Sequence, residues 1–161
     1  MFESFPPLLQ KEIIEVTQGQ IVKGIRFFKS LPSNFLIKVI AKLGLMRNYK
    51  DDIIYSEGDQ ADQMFFLFQG KVIMYHDITS EIEMQPFVLT TQAFNIPILV
   101  YDKGSYFGDH DVLVQGVNSR SHTAVCGEDT MIYTLKQQCL QEQLQGYENI
   151  EKLMCQIAKE K

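Results

Sequence analysis

The residues most suited to chemistry lie between Gly104 and Thr123, where the chain reads GSYFGDHDVLVQGVNSRSHT. Two glycines frame Tyr106 and Phe107, and Asp109 follows at once. A short apolar turn comes next (Val112, Leu113, Val114), then a polar loop and Arg120. Arg120 is the only Lys or Arg between Lys103 and Lys136. Backbone N–H groups at a glycine-opened turn together with one arginine can hold a phosphate. A neighbouring carboxylate can accept from a hydroxyl of the same ligand.

The flanking elements must position that stretch. Leu9, Ile13 and Val16 recur at helical spacing behind Pro6 and Pro7, so residues 1–30 read as helical, loosened near Gly19 and ending in Phe27-Phe28. Residues 32–46 read as the clearest helix, with Phe35, Leu36, Val39, Ile40 and Leu43 on one stripe. Ser30 or Ser33 can cap its start, and Gly44 is the natural stop. From Tyr49 the period changes to short runs bounded by Gly and Asp: Ile53–Tyr55, Met64–Phe68, Val72–His76, Ile96–Tyr101, Thr123–Cys126 and Thr130–Leu135. Pro86–Leu89 is a further strand candidate, and 76–85 reads as a polar loop. Residues 136–161 return to helical spacing, divided by Gly146. The chain ends at Lys161 still in that pattern and without a cap, as expected of a piece cut within a helix or of a helix that frays at its end.

Composition narrows the function classes. The chain has 161 residues, 45% hydrophobic and 22% charged, which suits one domain with its own core. A net charge of −5 argues against a general nucleic-acid surface. No apolar run reaches the roughly 20 residues of a membrane span, and the N-terminus lacks the pattern of a signal peptide. Three cysteines without metal-type spacing suggest reduced thiols. The histidines (His76, His110, His122) form no H-x-H pair, and no nucleophile–base pair stands out, so an enzyme is not expected.

IIYSEGD at 53–59, MFFLFQGKV at 64–72, GSYFGD at 104–109 and Arg120, with the closing helices, resemble in order the motifs of the cyclic nucleotide-binding domain. The resemblance runs from about residue 27 to 161. It implies a mainly β fold with flanking helices: an eight-stranded β-roll (jelly roll) at about 49–135, N-terminal helices, and two closing helices at 136–161. Residues 1–30 look like the helical tail of the linker that joins such a domain (31–161) to the pore of a cation channel.

The resemblance also assigns roles. Phe107 to Leu113 matches the phosphate-binding cassette, with Gly108 permitting close backbone approach. Asp109 holds the place of the glutamate that accepts from the ribose hydroxyl, one methylene short, or else simply caps the short helix. Arg120 matches the arginine that neutralises the cyclic phosphate, after a loop about two residues longer than the family's. Ser121 and Thr123 follow it, and Thr123 is in place to reach phosphate or purine, though a strand threonine needs no ligand. Leu99 and Tyr101 match positions facing the purine, or else pack the barrel interior. His110 and Asp111 depart from the family's apolar and neutral residues. A second carboxylate about 5 Å from the phosphate would cost about 3 kcal/mol at an effective dielectric of about 20, about a hundredfold in affinity. Asp111 could instead pair with Arg120 and fill the site from within. The family's base-contacting lid position falls near Lys161.

The resemblance therefore implies the cytosolic regulatory domain of a voltage-gated, potassium-type cation channel, a cytoplasmic part of an integral membrane protein. It would bind cAMP or cGMP, couple lid closure to the pore, and meet its parent channel subunits as a tetramer. No other cofactor, nucleic acid or direct membrane contact is expected. The alternative is a ligand-free homology domain, as in the ether-à-go-go-like channels, acting as a structural gating element.

Overall fold

The computed structural model describes residues 19, 21, 23–78, 95–114 and 118–159. The expected helix before Gly19, the strand at 86–89 and most of the polar loop at 76–85 lie outside the described residues. Eight antiparallel strands form two four-stranded sheets flanked by helices. The strands are β1 (Gly44–Asn48), β2 (Ile53–Tyr55), β3 (Gln63–Gln69), β4 (Lys71–Asp77), β5 (Asn95–Asp102), β6 (Tyr106–Phe107), β7 (Thr123–Cys126) and β8 (Thr130–Lys136). One sheet has the order β1-β8-β3-β6 and the other β2-β7-β4-β5. The helices are α1 (Ser33–Ile40), α2 (Asp109–Leu113), α3 (Gln137–Leu144) and α4 (Glu148–Lys159), preceded by a 3-10 turn at Arg26–Ser30. Among the described residues no helix is long and apolar enough to cross a membrane.

Strand β3 explains how one chain builds two cores. Side chains alternate across a strand, yet Met64, Phe65, Phe66 and Leu67 are all buried. Phe65 and Leu67 face the interior of the roll, with Tyr55, Val72, Met74, Phe107, Ala124 and Ile132. Met64 and Phe66 face the other way, into a layer formed by Phe28, Phe35, Val39, Leu140 and Met154 of the flanking helical segments. A strand covered on both faces reads as a continuous apolar run, and 64–68 is such a run.

Two local expectations are corrected. The helix expected at 32–46 ends at Ile40, and Gly44–Asn48 is a strand paired with Thr130–Thr134. The helix is already closed at Ala41, so Gly44 is not its stop but the first residue of β1. A side chain there would meet Thr134 Oγ1 at 2.8 Å, so glycine lets the two strands close. The residue preceding α1 is Pro32, so neither Ser30 nor Ser33 is its cap. Instead, the backbone N–H of Phe35 donates to Asn34 Oδ1 at 2.9 Å.

The N-terminal segment is built into the roll beside β6. Arg26 N–H donates to the Gly104 carbonyl at 3.1 Å. The Phe27 ring lies 5.0 Å from Tyr106 and 5.3 Å from Phe66. Gly104 has φ +88, and a Cβ there would meet the Gly24 carbonyl oxygen at 2.5 Å. Only glycine permits both that backbone and that approach.

Candidate functional site

The site begins where β6 ends. Phe107 is fully buried and stacks on Phe65 at 5.1 Å and on Tyr101 at 5.4 Å. Those rings fix the end of the strand. Gly108 then turns the chain in the left-handed region (φ 69, ψ 8) and precedes α2, whose first residue is Asp109. A Cβ at Gly108 would meet Arg120 Nη1 at 2.8 Å and the Phe65 ring at 3.1 Å. The glycine is therefore required by both its backbone and the guanidinium beside it.

Arg120 reaches the same place from the opposite direction. Its backbone is zipped to the Glu57-Gly58-Asp59 turn: Arg120 N–H donates to the Asp59 carbonyl at 2.7 Å, and Gly58 N–H to the Arg120 carbonyl at 2.9 Å. Ala61 N–H donates to the Asn118 carbonyl, and Gln60 bridges Ser119. The turn is closed by Asp59, whose Oδ2 accepts from Ser56 N–H at 2.8 Å. The EGD motif thus holds the arginine's backbone rather than forming part of the cassette.

The Arg120 side chain is buried, the whole residue being 3% exposed. Its guanidinium lies over the Tyr55 ring at 4.4 Å and the Phe65 ring at 5.3 Å, within cation–π range. Nη1 donates to the Gly108 carbonyl at 3.1 Å, and Nη2 to the Gln63 carbonyl. Nη1 also lies 3.8 Å from Asp111 Oδ2, an ion pair. Nε is buried with no hydrogen-bond acceptor among the described residues. The aromatic box and the two carbonyls had no signal in the sequence beyond the apolar runs that supply them.

The acidic residues of α2 are both buried, Asp109 at 3% and Asp111 at 5% exposed. Ser121 donates its hydroxyl to Asp111 Oδ1, and His110 Nδ1 lies 3.7 Å from that same oxygen on a half-exposed ring. The charge of Asp109 reaches three tyrosines, Tyr55 least. Burial first, and Asp109 second, push the Tyr101 phenol up to about 12 and raise that of Tyr106. Burial raises Tyr55 further still, although Arg120 pulls in the opposite direction.

The remaining expected residues take these places. Thr123 Oγ1 accepts from Glu57 N–H at 2.9 Å, so its hydroxyl ties β7 to the EGD turn. Tyr101 lies against the roll interior through Phe107, whereas Leu99 is half exposed on β5. The closing helices grip α2 from behind: Gln137 Nε2 donates to the Val112 carbonyl at 2.9 Å, and Cys155 Sγ to the Leu113 carbonyl at 3.5 Å. Phe107, Gly108, Asp109, His110, Arg120 and Ser121 therefore converge, with Asp111 among them. The fold also brings together two histidines whose spacing suggested no relation. The His76 and His122 rings lie 5.7 Å apart, with Glu57 Oε2 at 3.3 Å from His76 Nδ1.

The site consists of a left-handed glycine, a short helix start and one buried arginine. Comparison with known proteins agrees with that geometry. The family profile described as cyclic nucleotide-binding domain matches residues 46–147. No curated protein matches the sequence significantly. Among solved structures, the sensor domain of the transcriptional regulator DNR from Pseudomonas aeruginosa is similar, with TM-score 0.67 and 17% identity over 92% of this chain and 93% of that one. A putative cyclic nucleotide binding protein from Ruegeria pomeroyi has TM-score 0.66 and 10% identity, over 88% of this chain and 56% of that one. At such identities the two structures show a shared fold. The profile match spans well over half of the sequence, and the chain belongs to the cyclic nucleotide-binding domain family.

Proposed function

We propose that this chain is a non-catalytic regulatory domain that takes cAMP or cGMP, with the cyclic phosphate at Arg120 and the Gly108 turn. The observation that carries the reading is the buried Arg120, whose Nε–H has no acceptor among the described residues, beside a glycine-opened helix start. A buried donor without a partner costs about 1–3 kcal/mol, and an anionic oxygen would relieve it. Asp109 stands next to that turn for a ribose hydroxyl.

The larger context we infer is a voltage-gated, potassium-type cation channel, of which this would be the cytoplasmic part, joined to the pore through residues 1–30 and meeting its sister subunits as a tetramer. Support comes from the sequence resemblance of 1–30 to a channel linker. It also comes from the seating of Phe27 against Tyr106, one residue before Phe107, which ties that segment to the strand leading into the cassette. Closure of α4 against α2 would then be felt at the N-terminal segment. The ion pair of Arg120 with Asp111 favours a second reading, a ligand-free homology domain whose site is filled from within.

Calorimetric titration with cAMP and with cGMP separates the two. Binding that Arg120→Ala abolishes supports the first reading, and no heat at millimolar nucleotide rejects it. For the channel context, the full-length protein expressed in oocytes should give a cation current that responds to cyclic nucleotide in excised patches. A full-length protein without current overturns that context.

A further inference from the structure

Three buried charges share the site: Arg120 on one side, Asp109 and Asp111 on the other. One cation cannot balance two carboxylates and a phosphate monoanion together in a dry pocket. Asp111 is also not loosely placed. One of its oxygens takes the Ser121 hydroxyl and the other lies 3.8 Å from Arg120 Nη1. Ser121 is the residue next to Arg120 in the chain, so the latch and the cation it restrains move on one segment. The residue is exposed, so the latch sits at the rim of the site while the ion pair lies beneath it.

We propose that Asp111 is a built-in competitor for the phosphate of the ligand. It holds Arg120 when no nucleotide is bound, Ser121 latches it there, and binding requires its displacement. This rests on the cyclic nucleotide reading above and adds the regulation of that same site. The affinity of the domain is then set by the strength of the latch as well as by contacts to the ligand. Release of Asp111 toward solvent exchanges one anion for another on Arg120 and leaves the pocket's charge balance as it was. Among the described residues, His110, half exposed and 3.7 Å from Asp111 Oδ1, is the other cation-forming side chain beside that carboxylate. Tyr55 and Tyr101 feel its charge from the roll interior.

The test has two arms on the whole chain. The first needs no nucleotide. Unfolding equilibria of the parent, Asp111→Asn, Arg120→Gln and the double variant form a thermodynamic cycle. Direct pairing gives a non-additive factor of at least tenfold in the unfolding constant. Additive effects overturn the latch whether or not a nucleotide binds. The second arm titrates cAMP and cGMP into the parent, Asp111→Asn and Ser121→Ala. Competition predicts at least tenfold tighter binding to Asp111→Asn and a smaller gain for Ser121→Ala. Equal or weaker binding to Asp111→Asn, with binding to the parent retained, overturns the latch and leaves the nucleotide reading standing. No binding to the parent or to either variant overturns the nucleotide reading, and the competition with it.

Discussion

Replacing Gly108 by alanine tests the geometry of the site without touching a charge. Two costs follow from the structure. The backbone there has φ 69, a left-handed conformation that a Cβ disfavours by roughly 1–2 kcal/mol. The added Cβ would also stand 2.8 Å from Arg120 Nη1 and 3.1 Å from the Phe65 ring. The guanidinium is boxed by Tyr55 and Phe65, so it must slide and give up its 3.1 Å bond to the Gly108 carbonyl. A hydrogen bond to a charged group is worth about 1.5–3 kcal/mol. The sum is about 3–5 kcal/mol. Gly146 provides the control: its φ is +86, and a Cβ there meets nothing within 4 Å among the described residues. Gly146→Ala should therefore cost only the backbone term. In urea unfolding at constant m, Gly108→Ala should be less stable than Gly146→Ala by about 2–3 kcal/mol, which is a melting difference of roughly 4–12 °C at this size. In an Arg120→Ala background the excess should largely vanish. If the two glycine variants lie within about 0.5 kcal/mol of each other, Arg120 is not held against the Gly108 turn.

Two further outcomes follow from the groups around the site. Tyr101, Tyr55 and Tyr106 have folded-state pKa values raised above the usual tyrosine range, so the native state holds protons that the unfolded chain releases. Their contribution is complete below about pH 10 and is lost as pH rises through the folded value, about 12 for Tyr101. Ultraviolet titration should show these phenols ionising late and together with alkaline unfolding. A single class of all seven tyrosines titrating near 10 in folded protein would contradict it. Burial likewise raises the Cys126 thiol, which is fully enclosed, whereas Cys139 and Cys155 are partly exposed. A thiol reagent should label Cys139 and Cys155 in native protein and reach Cys126 only on denaturation, and equal rates for all three would refute this.

What could be read from the sequence was whatever has a local cause. The apolar run at 64–68 is covered on both faces, so its composition alone marks a central strand. Gly146 separates α3 from α4 because its backbone is left-handed, and that preference is written in one residue. The boundary at 41–46 was different. Leu43, Leu45 and Met46 fit a helical stripe as well as a strand, and the deciding partner, β8, lies more than eighty residues away. The site divides in the same manner. Arg120, Gly108 and Asp109 are visible as residue types in order. The Gln63 carbonyl and the Tyr55 ring that hold the guanidinium are not, because any residue brings a carbonyl and the tyrosine belongs to another strand. The EGD turn was legible as a motif, but its bonds to the backbone of 118–120 depend on tertiary placement.

The two-sided burial of β3 bears on how this protein can be dissected. The family match covers 46–147, yet Phe28, Phe35, Val39 and Met154, which cover Met64 and Phe66, all lie outside it. A fragment excised at the limits of the match would keep the roll interior and strip the outer face of β3 and β8. Several large apolar side chains would then meet water, an area of the kind that drives association. The smallest unit that can be handled alone therefore extends from the N-terminal phenylalanine pair to the last helix, and the homology limits mark shared ancestry of a pattern rather than the edges of a cooperative fold.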